Sequence, residues 1–361
     1  MIPKTMTAVL LTSHGGPEKL DYRTDVPVPQ PKAGEVLIRV AASAVNNTDI
    51  NTRIGWYSRK VEVATEAADT AQVDQEDASW SGVPLQFPRI QGADACGHVV
   101  AVGEGVDAGR IGQRVLVRNM LRSYVGWRPY ECWTYGSEID GGFAQFTVAP
   151  SAEVYAVDCD WTDAELASIP CAYSTAENML HRAGVGAERV LVTGASGGVG
   201  SAAVQLAKRR EAEVIALCAA SKAEEVKALG ADRTLDRGAD LVAALGRNSV
   251  DVVIDMVGGP GWPALLDVLR TGGRYACAGA IAGPICELDL RRLYLKDLTL
   301  YGCTFQEDAV FENLIRYIEA GEIRPVVART YPLAEIAQAQ ADFLSKKHTG
   351  KLVLIPPPVT A

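Results

Sequence analysis

The sequence predicts an α/β fold of two domains, one a β-rich barrel and the other a doubly wound parallel sheet. Three observations carry this. Short β-type runs between Gly and Pro turns fill the N-terminal part. From near residue 160, apolar strands and short helices alternate, the pattern of a sheet buried on both faces. A glycine-rich loop joins the first of those strands directly to a helix. The length of 361 residues, with 48% hydrophobic and 22% charged residues, fits two globular domains.

The N-terminal elements follow from alternation and punctuation. TAVLL is a strand, Gly15-Gly16-Pro17 a turn, Pro27 to Pro31 an extended stretch, and Glu35 to Val45 a long strand. Residues 61–88 break the pattern, with six acids (Glu62, Glu66, Asp69, Asp74, Glu76, Asp77) and no base. The stretch 61–81 reads as either a short amphipathic helix or a surface loop. Strands resume at 96–103, 113–117 and 141–150. TDAELASIPCAYSTAENMLHRA reads as one helical segment with Thr162 as N-cap. RVLVTG, EVIALC, DVVIDMVGG, RYACAG and LTLYGC are then strands, separated by SAAVQLAKRR, KAEEVKALG and PALLDVLRTGG as helices. After Phe305 come a helix, a strand-like RPVVARTYPL, another helix and GKLVLIPP, a tail expected to rejoin the first domain. The expected division is 1–157 with 310–361, 158–309, and an acidic insertion at 61–88.

Charge and composition exclude several classes. A net charge of −9 argues against nucleic acid as a partner, because phosphate backbones reward clustered Lys and Arg. No apolar run reaches the roughly 18 residues of a membrane span, and MIPKTMTAVLLTS lacks a secretory pattern. The expectation is a cytoplasmic protein that acts on a small molecule, with no membrane partner. Eight cysteines without a CxxC pair suggest reduced thiols rather than a disulfide framework or a zinc ribbon.

RVLVTGASGGVGSAAVQLAKRR, residues 189–210, is the most informative stretch. Gly194, Ser196, Gly197, Gly198, Val199 and Gly200 stand between strand and helix. Glycine removes the Cβ that would block a pyrophosphate, and the helix N-terminus offers free N–H groups to the anion. The spacing is GxxGxxG rather than GxGxxG. An acid at the end of the next strand would hold the ribose 2′-hydroxyl of NAD. None occurs in Leu217 to Lys222. Ser221 and Lys222, with Arg237 beyond, suit a 2′-phosphate instead and point to NADP(H); their alternative is a solvated surface.

These residues, together with AASAVNNTDINTRIGWY, RIQGADACGHVVAVGEGV, CAYSTAENML, DVVIDMVGG and GKLVLI, resemble the medium-chain dehydrogenase/reductase superfamily. The likeness is closest to its zinc-independent quinone oxidoreductase branch. It implies a GroES-like substrate domain built from both chain ends, a Rossmann domain between them, a cleft where nicotinamide meets substrate, and a homodimer. LTLYGC is the strand edge expected to pair across it. Against the alcohol dehydrogenases of that superfamily, the first two zinc-ligand positions are Asn46 and Ala93, and only Cys171 matches the third. The structural zinc lobe is also missing, since residues 118–140 hold a single Cys132. His98 and Cys96 read as core. No metal is expected.

The resemblance implies hydride transfer from NADPH to a quinone or an α,β-unsaturated carbonyl. Asn46 and Tyr57 match the branch's hydrogen-bond donors, and Thr48 sits where the alcohol dehydrogenases keep a proton-relay hydroxyl. Thr175 matches a Thr beside the nicotinamide, and Gly258 and Gly279 let the cofactor pass closely. Water would supply the proton. The competing readings are an alcohol dehydrogenase with an unusual substrate and a non-catalytic NADPH-binding protein. The acidic insertion reads as a lid over the cleft or as an inert surface segment.

Overall fold

The computed structural model describes residues 2–68 and 73–359. Six parallel strands form one sheet in the order Arg233–Asp236, Glu213–Cys218, Arg189–Val192, Val250–Asp255, Leu269–Cys277, Thr299–Gly302. This is the doubly wound order, with its switch point between the third and fourth strands in space. The strands are continuous apolar runs because helices cover both faces: Val190, Leu191, Val192, Val252, Val253 and Ile254 are fully buried.

The other domain holds a sheet of seven strands around the long strand Glu35–Ala44. Cys96–Val102 and Phe146–Pro150 pair with it, as does the C-terminal strand Lys351–Ile355, antiparallel through Val353 to Ala44 and Leu354 to Ser43. A smaller sheet joins Leu20–Pro27, Thr5–Leu11 and Arg89–Ile90. The fold is the two-domain GroES-like and Rossmann architecture. One apolar core is continuous across both parts, running from Ala42, Leu116 and Val353 to Val190, Val192 and Ala202.

Several local features add to the sequence expectation or differ from it, among them residues 269–273, expected at the end of a helix and found in the strand Leu269–Cys277. The segment after Thr162 is two helices, Asp163–Ala167 and Pro170–Arg182. Pro170 opens the second, a position that needs no N–H but ends the preceding turn. Of the two readings of the insertion, the described residues take the loop: 61–68 and 73–88 form no α-helix but an irregular strap that includes a 3-10 turn at Thr65–Ala67. Residues 69–72 of that insertion, Asp69 included, lie outside the described residues. The strand Leu20–Pro27 was hidden because it is mostly exposed and does not alternate. A helix, Asn47–Ile54, follows the long strand, its start fixed by the Asp49 carboxylate accepting from the Asn46 N–H at 2.7 Å. It ends at Gly55, whose φ of 72° is left-handed and whose missing Cβ makes room for Val73 of the strap.

Candidate active site

A cleft opens at the switch point between the two domains. Asn46, Thr48 and Tyr57 line it from one domain, Thr175, Val199 and Gly279 from the other. The helix Asn47–Ile54 places Thr48 on its first turn, and the left-handed turn at Gly55 brings Tyr57 back beside it. The Tyr57 hydroxyl donates to Thr48 Oγ1 at 3.0 Å. Burial holds the Tyr57 phenol well above its ordinary range, so it stays a protonated donor.

The insertion reaches this pair. Trp80 donates its indole N–H to Thr48 Oγ1 at 2.7 Å, and its ring lies 4.7 Å from the Tyr57 ring. The strap is fastened elsewhere too: the Thr65 hydroxyl donates to Asn51 Oδ1 at 3.0 Å, and the Trp56 indole to the Val63 carbonyl at 3.0 Å.

Asn46 faces a buried polar cluster. Its amide donates to Asp94 Oδ2 at 2.7 Å and to the Ala44 carbonyl at 3.2 Å, which engages both of its protons. The Lys351 ammonium lies 3.2 Å from Asp94 Oδ2 and hydrogen-bonds Asn46 Oδ1. The other oxygen of Asp94 accepts the Cys171 N–H at 2.6 Å, so it also caps the helix Pro170–Arg182 at its positive end. Burial pushes the Cys171 thiol up. Asp49 accepts the Ala93 N–H at 3.0 Å and is pushed up to about 7, mainly by burial. An amide with both protons already bonded and an ammonium inserted beside it do not fit a zinc ion. Among the described residues no three His, Cys, Asp or Glu side chains gather into a metal-binding group.

The glycine loop fits a dinucleotide. Gly194 has φ +57°, and a Cβ on Gly200 would lie 2.1 Å from the Gly194 carbonyl, so the helix Gly198–Arg209 closes tightly on the loop. Gly197 is exposed, and a Cβ there would meet only the Gly194 carbonyl, at 3.4 Å. Gly198 has a different neighbour: it leaves room for the Lys351 stem, 2.7 Å from where its Cβ would stand. Ser196 accepts the Gly350 N–H through its carbonyl at 3.0 Å. Thr175 donates its hydroxyl to the Cys171 carbonyl at 2.7 Å. Gly258 is buried with φ +60°, and Gly279 lies close against Met256.

Ser221 and Arg237 are exposed, and the Arg237 guanidinium has no hydrogen-bond or ion-pair partner among the described residues. The Lys222 ammonium donates to the carbonyls of Lys346 at 2.7 Å and His348 at 2.5 Å, leaving one N–H unengaged. Sequence reasoning missed that loop. Lys346 is pulled down to about 8 by burial, and His348 to about 4 by burial and then by Lys222, Lys346 and Lys351. It also missed Trp80 and the pairing of Lys351 with Asp94. Lys351 stood in GKLVLI as an unassigned lysine in an apolar strand; Trp80 carried no signal beyond being an aromatic in an acidic tract. Gln306 was likewise silent. It donates to Ser174 Oγ at 2.8 Å, while its buried Oε1, on a side chain lining the cleft, has no partner among the described residues.

Comparison with known proteins adds family context. The alcohol dehydrogenase GroES-like domain matches residues 32–158, and zinc-binding dehydrogenase matches 229–354. The NAD dependent epimerase/dehydratase family matches 190–267. A quinone oxidoreductase of Lama guanicoe is 31% identical over 98% of both chains. An acryloyl-coenzyme A reductase of Metallosphaera sedula is 29% identical over 97% of this chain and 99% of its own. The crystal structure of a putative alcohol dehydrogenase from Sinorhizobium meliloti 1021 superposes with a TM-score of 0.88 at 47% identity, covering 99% of this chain and 98% of that one.

Proposed function

The chain belongs to the medium-chain dehydrogenase/reductase superfamily of oxidoreductases, and from that premise we propose that it uses NADPH to reduce a quinone or an α,β-unsaturated carbonyl without catalytic zinc. The observation that carries this reading is the Lys351 ammonium bonded to Asn46 and Asp94, two residues from the motifs that hold the metal in the zinc-dependent branch. A cation there leaves Lewis-acid activation to no ion, so the acceptor must delocalise its own charge. Relatives named quinone oxidoreductase and acryloyl-coenzyme A reductase support that acceptor class.

When bound, the nicotinamide supplies the hydride. In this reading Gly194, Ser196, Gly197, Gly198 and Gly200 admit the pyrophosphate to the helix N-terminus, and Val199, Thr175, Gly258 and Gly279 shape the nicotinamide end. Lys222, Arg237 and Ser221 receive the 2′-phosphate. Thr48, backed by Tyr57, donates to the acceptor oxygen where negative charge develops. Asn46 holds its place in the Asp94 and Lys351 cluster and shapes the wall beneath. The protein is proposed to be a cytoplasmic homodimer, joined along the edge strand Thr299–Gly302; Leu300 in that strand and Ile285, Leu290, Tyr294 and Leu295 in the segment leading to it are exposed.

The test is oxidation of NADPH, with NADH in parallel, against quinones, enones and aldehydes, together with elemental analysis. Preference for NADPH by at least about tenfold, as expected for one charge-assisted phosphate contact, and activity confined to conjugated acceptors support the reading. Stoichiometric zinc and alcohol oxidation would establish the alcohol dehydrogenase reading, which the 47% identity to the Sinorhizobium meliloti protein favours. Tight NADPH binding with no turnover would mark a sensing protein.

A further inference from the structure

The hydroxyl of Thr48 is fixed by its neighbours. Its oxygen accepts one hydrogen bond from the Tyr57 hydroxyl at 3.0 Å and another from the Trp80 indole at 2.7 Å. An indole N–H only donates, and a hydroxyl oxygen has two acceptor positions and one proton. With both positions filled, the Thr48 proton is left to be donated, and Thr48 lines the cleft. Trp80 comes from the acidic strap, which is pinned next to it by the Ser81 N–H and hydroxyl donating to Glu138 Oε1 at 3.0 and 2.9 Å. Its ring, packed on Tyr57, also borders a second, outer chamber beside Trp133, Thr134, Arg128 and Thr304.

We propose that Trp80 is a positioning and specificity-determining residue: its indole N–H holds the Thr48 hydroxyl as a donor toward the acceptor oxygen, and its ring walls the reaction cleft from the outer chamber. This deepens the carbonyl-reducing reading and rests on it. Tyr57 alone would leave one acceptor position of Thr48 open, and the hydroxyl could then turn to accept from water instead of donating to substrate. An oriented donor needs no reorganisation as charge develops, which is where such groups lower barriers.

The test is a double-mutant cycle on the full-length protein at saturating NADPH, with 1,4-benzoquinone and 2-cyclohexen-1-one as acceptors. Trp80→Phe keeps the ring and removes the N–H. It is expected to lower kcat about tenfold, with KM and NADPH affinity little changed, since a transition-state interaction is lost. In the Thr48→Val background the same change is expected to have no further effect on kcat, because the two residues act as a unit. An equal loss in both backgrounds, or parallel loss of NADPH binding, overturns the positioning role. Trp80→Ala merges the two chambers and is expected to raise the kcat/KM ratio of menadione to benzoquinone by about fivefold, roughly one buried methylene's worth of discrimination. An unchanged ratio overturns the wall. If no acceptor oxidises NADPH in the unmodified protein, the functional reading fails by itself, and the contact is judged by NMR. The indole 15N–1H resonance that vanishes in Trp80→Phe is expected to shift in Thr48→Val; no shift overturns the inference.

Discussion

Lys351 and Asp94 form a buried ion pair whose value to the protein is measured by removing one charge. Lys351→Met leaves the Asp94 carboxylate without its counter-charge, supported only by Asn46 and the Cys171 N–H. Breaking a buried pair in this way costs about 3–5 kcal/mol, so chemical denaturation is expected to show a loss of that order. A change below about 1 kcal/mol, the scale of an exposed pair, would mean that water reaches the cluster. In the loop that Lys222 holds, His348 lies among Lys222, Lys346 and Lys351, and its imidazole is held down to about 4 by burial and those charges. A folded value below the ordinary one means that its neutral form stabilises the fold, a contribution present above pH about 6.5 and lost as pH falls toward 4. On the proposed reading, a 2′-phosphate held by Lys222 would offset the surrounding positive charge and raise the imidazole again. NADPH binding is therefore expected to take up a proton between about pH 4 and 6.5, and NADH binding is not. Calorimetry in buffers of different ionisation enthalpy measures that uptake directly. These residues show how legibility varied at this scale. Thr48 and Tyr57 were marked by their motif, whereas Lys351 and Trp80 become informative only through neighbours far away in the chain.

The elements tell a similar story in units of turns and strands. The loop before the helix Gly198–Arg209 was legible because a backbone approaching an anion restricts residue type locally: few residues but glycine tolerate φ +57° or a carbonyl 2.1 Å from the Cβ site. Gly200→Ala is accordingly expected to weaken NADPH binding and lower the melting temperature together, as scanning calorimetry and a binding titration can check. The insertion was not legible as structure, because its order comes from side chains that anchor it to the helix Asn47–Ile54 rather than from its own periodicity. Excising residues 62–81 removes Trp80 from the cleft and the Thr65 anchor from the helix Asn47–Ile54. The expected outcome is a changed acceptor profile with NADPH affinity retained; identical kinetics across a panel of quinones and enones would make the strap an inert surface segment. The helix Asn47–Ile54 itself escaped notice because a helix of eight residues, little more than two turns and rich in Asn and Thr, has low intrinsic propensity and is held by its cap and by packing.

At the scale of the whole molecule, the cleft exists because two domains share one apolar core and because the C-terminal strand Lys351–Ile355 returns to the sheet of Glu35–Ala44. That return places Lys351 beside Asp94 and against Gly198, linking the cofactor helix to the substrate side. The outer edge of the parallel sheet leaves Leu300 exposed, and Leu290, Tyr294 and Leu295 in the segment leading to that strand are exposed too, apolar surface of the kind that association covers. Sedimentation is expected to show a dimer that Leu300→Lys dissociates, while NADPH binding by the separated chains persists; a monomeric parent protein would refute the interface. By itself the sequence determined the fold class, the glycine loop and the family, because strand and helix periodicity, glycine conformation and motif order are encoded by residues close together in the chain. Only the tertiary structure decided that an ammonium fills the polar cluster of Asn46 and Asp94, that Asn46 turns its amide inward, and that a tryptophan from the acidic strap sits on Thr48. Each of those facts is a contact between distant segments, and hydrogen-bond direction and burial are properties of the space they enclose, which neither segment carries alone.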